Sequence, residues 1–177
     1  MSETLSILVE RVRPLYEGKD PAHRFDHIER IIDFCLRVGP PLGADMGLLL
    51  PAALVHGVKE DERLREVLGE RYKEVVNLAR NASKSPQTLE ERVLHDANLY
   101  DALGAIGIAR AFTKGGYEGQ TIEETLRIMK ENIRRPLLTQ EGRRMAEERL
   151  EFMRRFLERL EEEMRVLRTV SGRPPSP

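Results

Sequence analysis

Apolar residues recur every third or fourth position along almost the whole of this chain, a period that helices satisfy and strands do not. Leu5, Leu8, Val9, Val12 and Leu15 form a first stripe that ends near Gly18. Phe25, Ile28, Ile31, Ile32, Cys35 and Val38 form a second. Asp20-Pro21 is expected to open that helix, as a capping carboxylate followed by a proline whose missing N–H costs nothing there. Gly39-Pro40-Pro41 is expected to close it. Asp45 is the expected cap of a third helix through Leu48, Leu49, Leu50 and Leu54 to about His56, apolar on every side and therefore central. A fourth stripe runs from Leu64 through Tyr72 to Ala79, with a loop expected over Asn81 to Pro86. Thr88 with Glu91, and Thr121 with Glu124, have the spacing at which each side chain satisfies the other residue's free backbone N–H. The helix behind Thr88 is expected to run through Leu103 toward Phe112, with Gly115-Gly116 and Gly119 in a following loop. Thr139 is placed to cap the last helix, which carries Met145, Met153, Phe156, Leu157, Leu160 and Met164. The expected fold is all-α: one helical domain over residues 1–168 and a disordered, proline-rich tail over 169–177.

Composition narrows the function. The 177 residues suit one domain, and 29 basic against 30 acidic side chains leave a net charge of −1. No global field draws such a chain to nucleic acid or to an anionic membrane. The longest apolar stretch, Leu48 to Val55, contains Pro51 and falls far short of the ~20 residues that span a bilayer. Met1 to Glu10 does not read as a signal peptide. The single cysteine, Cys35, excludes an intrachain disulfide and a cysteine-rich zinc site; it reads as a small buried apolar residue in a cytoplasmic protein. Gly104-x-x-Gly107 lies within helical periodicity and is better explained by close packing than by phosphate binding.

Chemistry is suggested by the histidines. His23 and His27 are four apart, on one face if they share a helix; His56 ends the buried third helix; Asp96 follows His95 in the helix behind Thr88. Two imidazoles and a carboxylate suit a divalent metal, whose bound water ionises near neutral pH. A histidine at such spacing is more often a surface or satisfied core residue, so spacing alone leaves both readings open.

The order of the motifs adds weight to the metal reading. AHRFDHIERI over residues 22–31, LLPAALVHGV over 49–58 and HDANLYDALGAIGIARAF over 95–112 resemble, in that order, the motifs of the HD-domain superfamily of metal-dependent phosphohydrolases. The last segment and LLTQEGRRMAEERLEFMRRFLERLEEE are most similar to its YedJ/YpgQ-like branch. The resemblance covers about His23 to Glu163 and implies an HD-type helical bundle. It places one divalent metal ion, or none, on His27, His56 and Asp96, with His23 near a substrate phosphate. His23 and Lys59 would offset charge developing on the phosphoryl oxygens, and Asn98 and Asp101 would contact substrate. The implied partner is a small phosphorylated molecule, not a nucleic acid or a membrane.

Several departures fall on these positions. Gly57 replaces the aspartate expected after His56, Asn81 stands where a His-Ser pair is common, and Asn98, Leu99 and Tyr100 replace Asp, Arg and Leu. Gly57 also reads as a simple helix terminator. Asp26, Glu60 or Asp61 are candidates for a substitute carboxylate, and if the missing carboxylate is the defect, Gly57→Asp should strengthen metal binding. The expected function is therefore a phosphohydrolase-like HD protein of weakened or lost activity. The alternative is a non-catalytic HD-fold protein that binds a small phosphorylated ligand or a partner protein.

Overall fold

The apolar segment around Leu49 becomes the centre of the molecule. In a computed structural model that describes residues 3–171, it forms α3 (Met46–Val55), in which Leu49, Ala52, Ala53, Leu54 and Val55 are fully buried. Asp45 caps it, accepting a hydrogen bond from the Gly47 N–H at 2.8 Å. Around it stand α1 (Glu3–Val12), α2 (Phe25–Leu42), α5 (Tyr72–Lys84) and α6 (Leu89–Tyr100), joined in one core that includes Ile28, Ile31, Cys35, Val76 and Leu94. Between α3 and α5 lie a short helix α4 (Leu64–Leu68) and a 3-10 turn, Gly69–Arg71.

A second core, with Leu103, Ile108, Met129, Met153 and Leu157, is built by α7 (Gly104–Tyr117), α8 (Ile122–Asn132) and α9 (Gln140–Ser171). The two cores meet through Tyr100, which packs on both, and through contacts of α6 with α9. The described residues contain helices and turns but no strand, and none of the helices is long and apolar enough to cross a membrane.

Both capping boxes form, at Thr88–Glu91 and at Thr121–Glu124, and Thr139 Oγ1 accepts from the Gly142 N–H at 2.9 Å. Cys35 is wholly buried, and burial pushes its thiol up.

Several boundaries move. Helix α2 begins at Phe25 rather than at Pro21, because Asp20 closes a turn instead, accepting from the Ala22 N–H and pairing with His23. It also runs past Pro40 and Pro41 to Leu42, where Gly43 at φ +77° ends it. Prolines are tolerated there because helical φ is already theirs and the lost bonds fall in the final turn. The expected fourth helix is divided at Gly69, and the helix behind Thr88 stops at Tyr100, with α7 starting at Gly104. Both glycines have positive φ, which periodicity cannot signal. Helix α5 runs through Asn81 to Lys84, so the expected loop shrinks, and Gly115 and Gly116 lie inside α7. Helix α9 continues through Ser171, so the tail expected from 169 begins as helix; residues 172–177 lie outside the described residues.

Gly107 meets a backbone rather than a ligand. A Cβ there would stand 2.2 Å from the Ala102 carbonyl, whereas a Cβ at Gly116 would meet nothing within 4 Å. Gly107→Ala should therefore lower unfolding free energy by about 1–3 kcal/mol, through overpacking. Gly116→Ala should leave it unchanged or raise it by up to about 1 kcal/mol, through helix propensity. Urea denaturation of the two variants checks both.

Candidate functional site

Two of the expected site residues are brought together where the first turn of α2 faces the end of α3. His27 and His56 are both buried, their ring centroids 6.5 Å apart, and the half-buried His23 ring lies 5.6 Å from His27. His23 reaches this place from the turn before α2, not from the helix itself. Its Nδ1 pairs with Asp20 at 2.9 Å.

His27 is oriented by a carboxylate far away in sequence. Its Nδ1 lies 2.7 Å from Asp101 Oδ2. Asp101 is itself buried, and is also held by Arg30 Nε at 2.6 Å and by Arg110 Nη1 at 2.9 Å. Burial alone would raise the Asp101 carboxyl, but the hydrogen bonds from His27 and Arg30 and the charge of Arg110 outweigh it and lower it. Asp101, expected to touch substrate, is thus engaged inside the protein. The ionised carboxylate fixes the proton on Nδ1 and leaves Nε2 as the free ring nitrogen.

His56 is buried as well, but no carboxylate holds it. Burial, then the charges of Lys59 and His27, push its pKa down to about 3, with the neighbouring Asn98 side chain acting in the opposite sense. Its Nδ1 is buried with no hydrogen-bond partner among the described residues. Lys59 Nζ donates to the His56 carbonyl at 3.0 Å.

Asp96 does not join the histidines. It is fully buried, with Oδ1 accepting from the Leu138 N–H at 2.7 Å and Oδ2 from the Thr139 N–H and Oγ1 at 2.8 and 2.7 Å. These contacts dock the start of α9, so the expected third metal ligand is a structural tie. The residue of α6 beside His56 is Asn98, an amide in place of the carboxylate that the resemblance implies. The substitute carboxylates are engaged elsewhere: Asp26 with Arg30, Glu60 with Arg80 and Asp61 with Arg63. Asn81 donates to Glu91 beside the Thr88 cap. His95 Nδ1 lies 3.2 Å from the Ala82 carbonyl.

Gly57 proves to be more than a helix terminator. A Cβ there would stand 2.7 Å from Tyr16 Cε1 and 3.2 Å from its hydroxyl. Tyr16, fully buried, donates to the Leu54 carbonyl at 2.7 Å and accepts from the Gly57 N–H at 3.1 Å. Gly57→Asp would thus meet an aromatic ring before it met a cation, which corrects the expectation that it simply strengthens metal binding. No motif marks Tyr16 in the sequence.

The residues present do not fit the divalent metal that the resemblance implies. Among the described residues, no group of three or more His, Cys, Asp or Glu stands as a metal site. Two neutral imidazoles and an amide bring no negative charge to balance a hard cation.

Comparison with known proteins accords with this helical architecture. The helical fold is shared with an HD-superfamily hydrolase from Bacillus thuringiensis, which superposes with a TM-score of 0.69 at 24% identity, over 92% of this chain and 97% of that one. Within that fold the resemblance is to YpgQ of Bacillus subtilis, 28% identical over 86% of this chain and 90% of YpgQ. The crystal structure of YpgQ in complex with ADP superposes with a TM-score of 0.68, covering 88% of this chain and 97% of that one. A protein from Lactobacillus plantarum reaches 0.76 at 21% identity, over 94% and 98%, and speaks for the fold alone. No family model matches the chain.

Two outcomes follow from this geometry. Burial lowers the pKa of His27 and takes that of His56 down to about 3, whereas the unfolded chain protonates both below about pH 6.5. The unfolded state then binds more protons, so stability should fall as pH drops from 7 to 5, His56 contributing about 2 kcal/mol at the lower end. Urea denaturation across that range should show a shallower slope for His56→Gln. Asp96→Ala should cost about 3 kcal/mol or more, because it strands three donors at the start of α9. The same measurement at pH 7 checks it.

Proposed function

We propose that this chain is an HD-fold protein that binds a small phosphorylated molecule beside His56, with metal-dependent hydrolysis weakened or lost. The observation that carries the reading is that, among the described residues, the carboxylates near the histidine pair are already engaged by other groups. Asp101 is held by His27, Arg30 and Arg110, Asp96 is turned to α9, and Asn98 and Gly57 stand where acids are expected. Such a set lacks the anionic ligands that a hydrolytic cation needs, but keeps groups that suit a phosphate.

Each remaining group has a role in binding. The His56 imidazole is kept neutral by burial and stands beside the Asn98 amide. Half-buried Lys59 supplies a positive charge that weak solvation strengthens. His23 stands at the more exposed side, steadied by Asp20. The presence of ADP in the related YpgQ structure supports a phosphorylated ligand of this kind.

Hydrolysis is tested with the purified protein, a panel of nucleotides and phosphomonoesters, and added Mn²⁺, Mg²⁺ or Ni²⁺. Phosphate release should not exceed that of the buffer. Turnover that disappears in His27→Ala would show the protein to be a metal-dependent phosphohydrolase and end this reading.

A further inference from the structure

We propose that the ligand pocket takes a phosphorylated anion free of divalent cation, with Tyr16 filling the place of the missing acid and Lys19 and Lys59 supplying the countercharge. This rests on the reading above and goes beyond it in naming the ionic form of the ligand and the residues that select it.

The first observation is steric. The phenol ring of Tyr16 occupies the space into which a side chain at Gly57 would extend, at 2.7 Å from its Cβ position. The hydroxyl is not available as a ligand either, since it donates to the Leu54 carbonyl and accepts from the Gly57 N–H. The ring is also wedged edge-on against Phe25 at 5.5 Å, at the start of α2. Gly57 and Tyr16 are therefore matched: the glycine is what allows the ring in, and the ring leaves no room for an acid.

The second observation is electrostatic and independent of the first. Gly57, next to His56 in the chain, lines a cavity of about 300 Å³ together with Lys19 and Lys59, whose walls include none of the three histidines. Lys19 belongs to the same turn as Tyr16, its N–H donating to the Tyr16 carbonyl at 3.1 Å. Burial and then the charge of Glu60 act most strongly on Lys59, in opposite senses, and Lys19, Arg80 and Lys84 add like charge around it. The two acids that line the cavity, Glu60 and Asp61, are engaged by Arg80 and Arg63. Among the described residues, Lys19, Lys59 and Lys84 have no carboxylate within ion-pair distance. A cluster of ammonium groups repels a divalent cation and attracts a phosphate, so the lysines supply here the positive charge that a metal would otherwise bring.

Calorimetric titration of the full-length protein tests this, with ADP in chelator, ADP with Mn²⁺, and Mn²⁺ alone. The expected result is ADP binding in chelator at least as tight as with Mn²⁺, no heat from Mn²⁺ alone, and about tenfold weaker ADP binding in Lys59→Gln. The triple variant Tyr16→Ala, Gly57→Asp, Asn98→Asp should gain Mn²⁺ binding. Should that variant fail to fold by circular dichroism, Mn²⁺ on the wild-type protein decides alone. ADP binding that requires Mn²⁺, or wild-type Mn²⁺ binding that is lost in His56→Ala, overturns this inference and leaves the phosphorylated-ligand reading standing. No ADP binding under either condition removes that reading, and this inference falls with it.

Discussion

The buried carboxylate of Asp101 is the contact on which the arrangement of this molecule turns. One acid, at the end of α6, receives His27 and Arg30 from α2 and Arg110 from α7, while Arg110 Nε also donates to the Ala22 carbonyl. Four segments are thereby fixed at one point. A buried charge of this kind is unfavourable unless it is paired and hydrogen-bonded, and here both carboxylate oxygens are engaged. Two guanidiniums, from Arg30 and Arg110, balance the single negative charge. The same contact sets the tautomer of His27, so the geometry of the histidine pair is a consequence of the way the helices are joined.

Asp96 does a parallel task one turn earlier on α6. It holds the Leu138 and Thr139 N–H groups and thereby the entry of α9. Gly142 is close because it must be: a Cβ there would stand 2.5 Å from Asp96 Oδ2. Helix α6 thus carries one acid toward α9 and, at its end, another toward α2 and α7.

Much of this could be read from residue pattern alone, and the limits have physical causes. The burial of α3, the two capping boxes, the Thr139 cap and the buried Cys35 follow from local chemistry and period, which act within a few residues. The joints at Gly69 and Gly104 depend on positive φ, and the start of α2 depends on Asp20 choosing a turn over a cap; neither leaves a mark in periodicity. The histidine pair was legible through the order of the motifs. The acid was not, because Asp96 and Asn98 are two residues apart and so lie about 200° apart around the helix. Which of the two faces His56 is decided by the packing of α6 between α2 and α9, a tertiary fact. Tyr16, the residue that most changes the chemistry, sits 41 positions from Gly57 and belongs to no motif.

Helix α6 separates the acids that join helices from the positions beside the histidine pair. The acids that hold helices together, Asp96 and Asp101, are present and fully bonded, whereas the positions beside His56 are an amide and a glycine. Structural and chemical carboxylates are therefore different residues, and removal of the second kind leaves no buried charge unpaired and no helix end open. A vacant acid position would still leave a hole at the end of α3. The Tyr16 ring fills that hole and its hydroxyl satisfies the Leu54 carbonyl and Gly57 N–H at the fraying end of the helix. The residue whose ring occupies the space beside Gly57 thus also stabilises the helix terminus that carries His56.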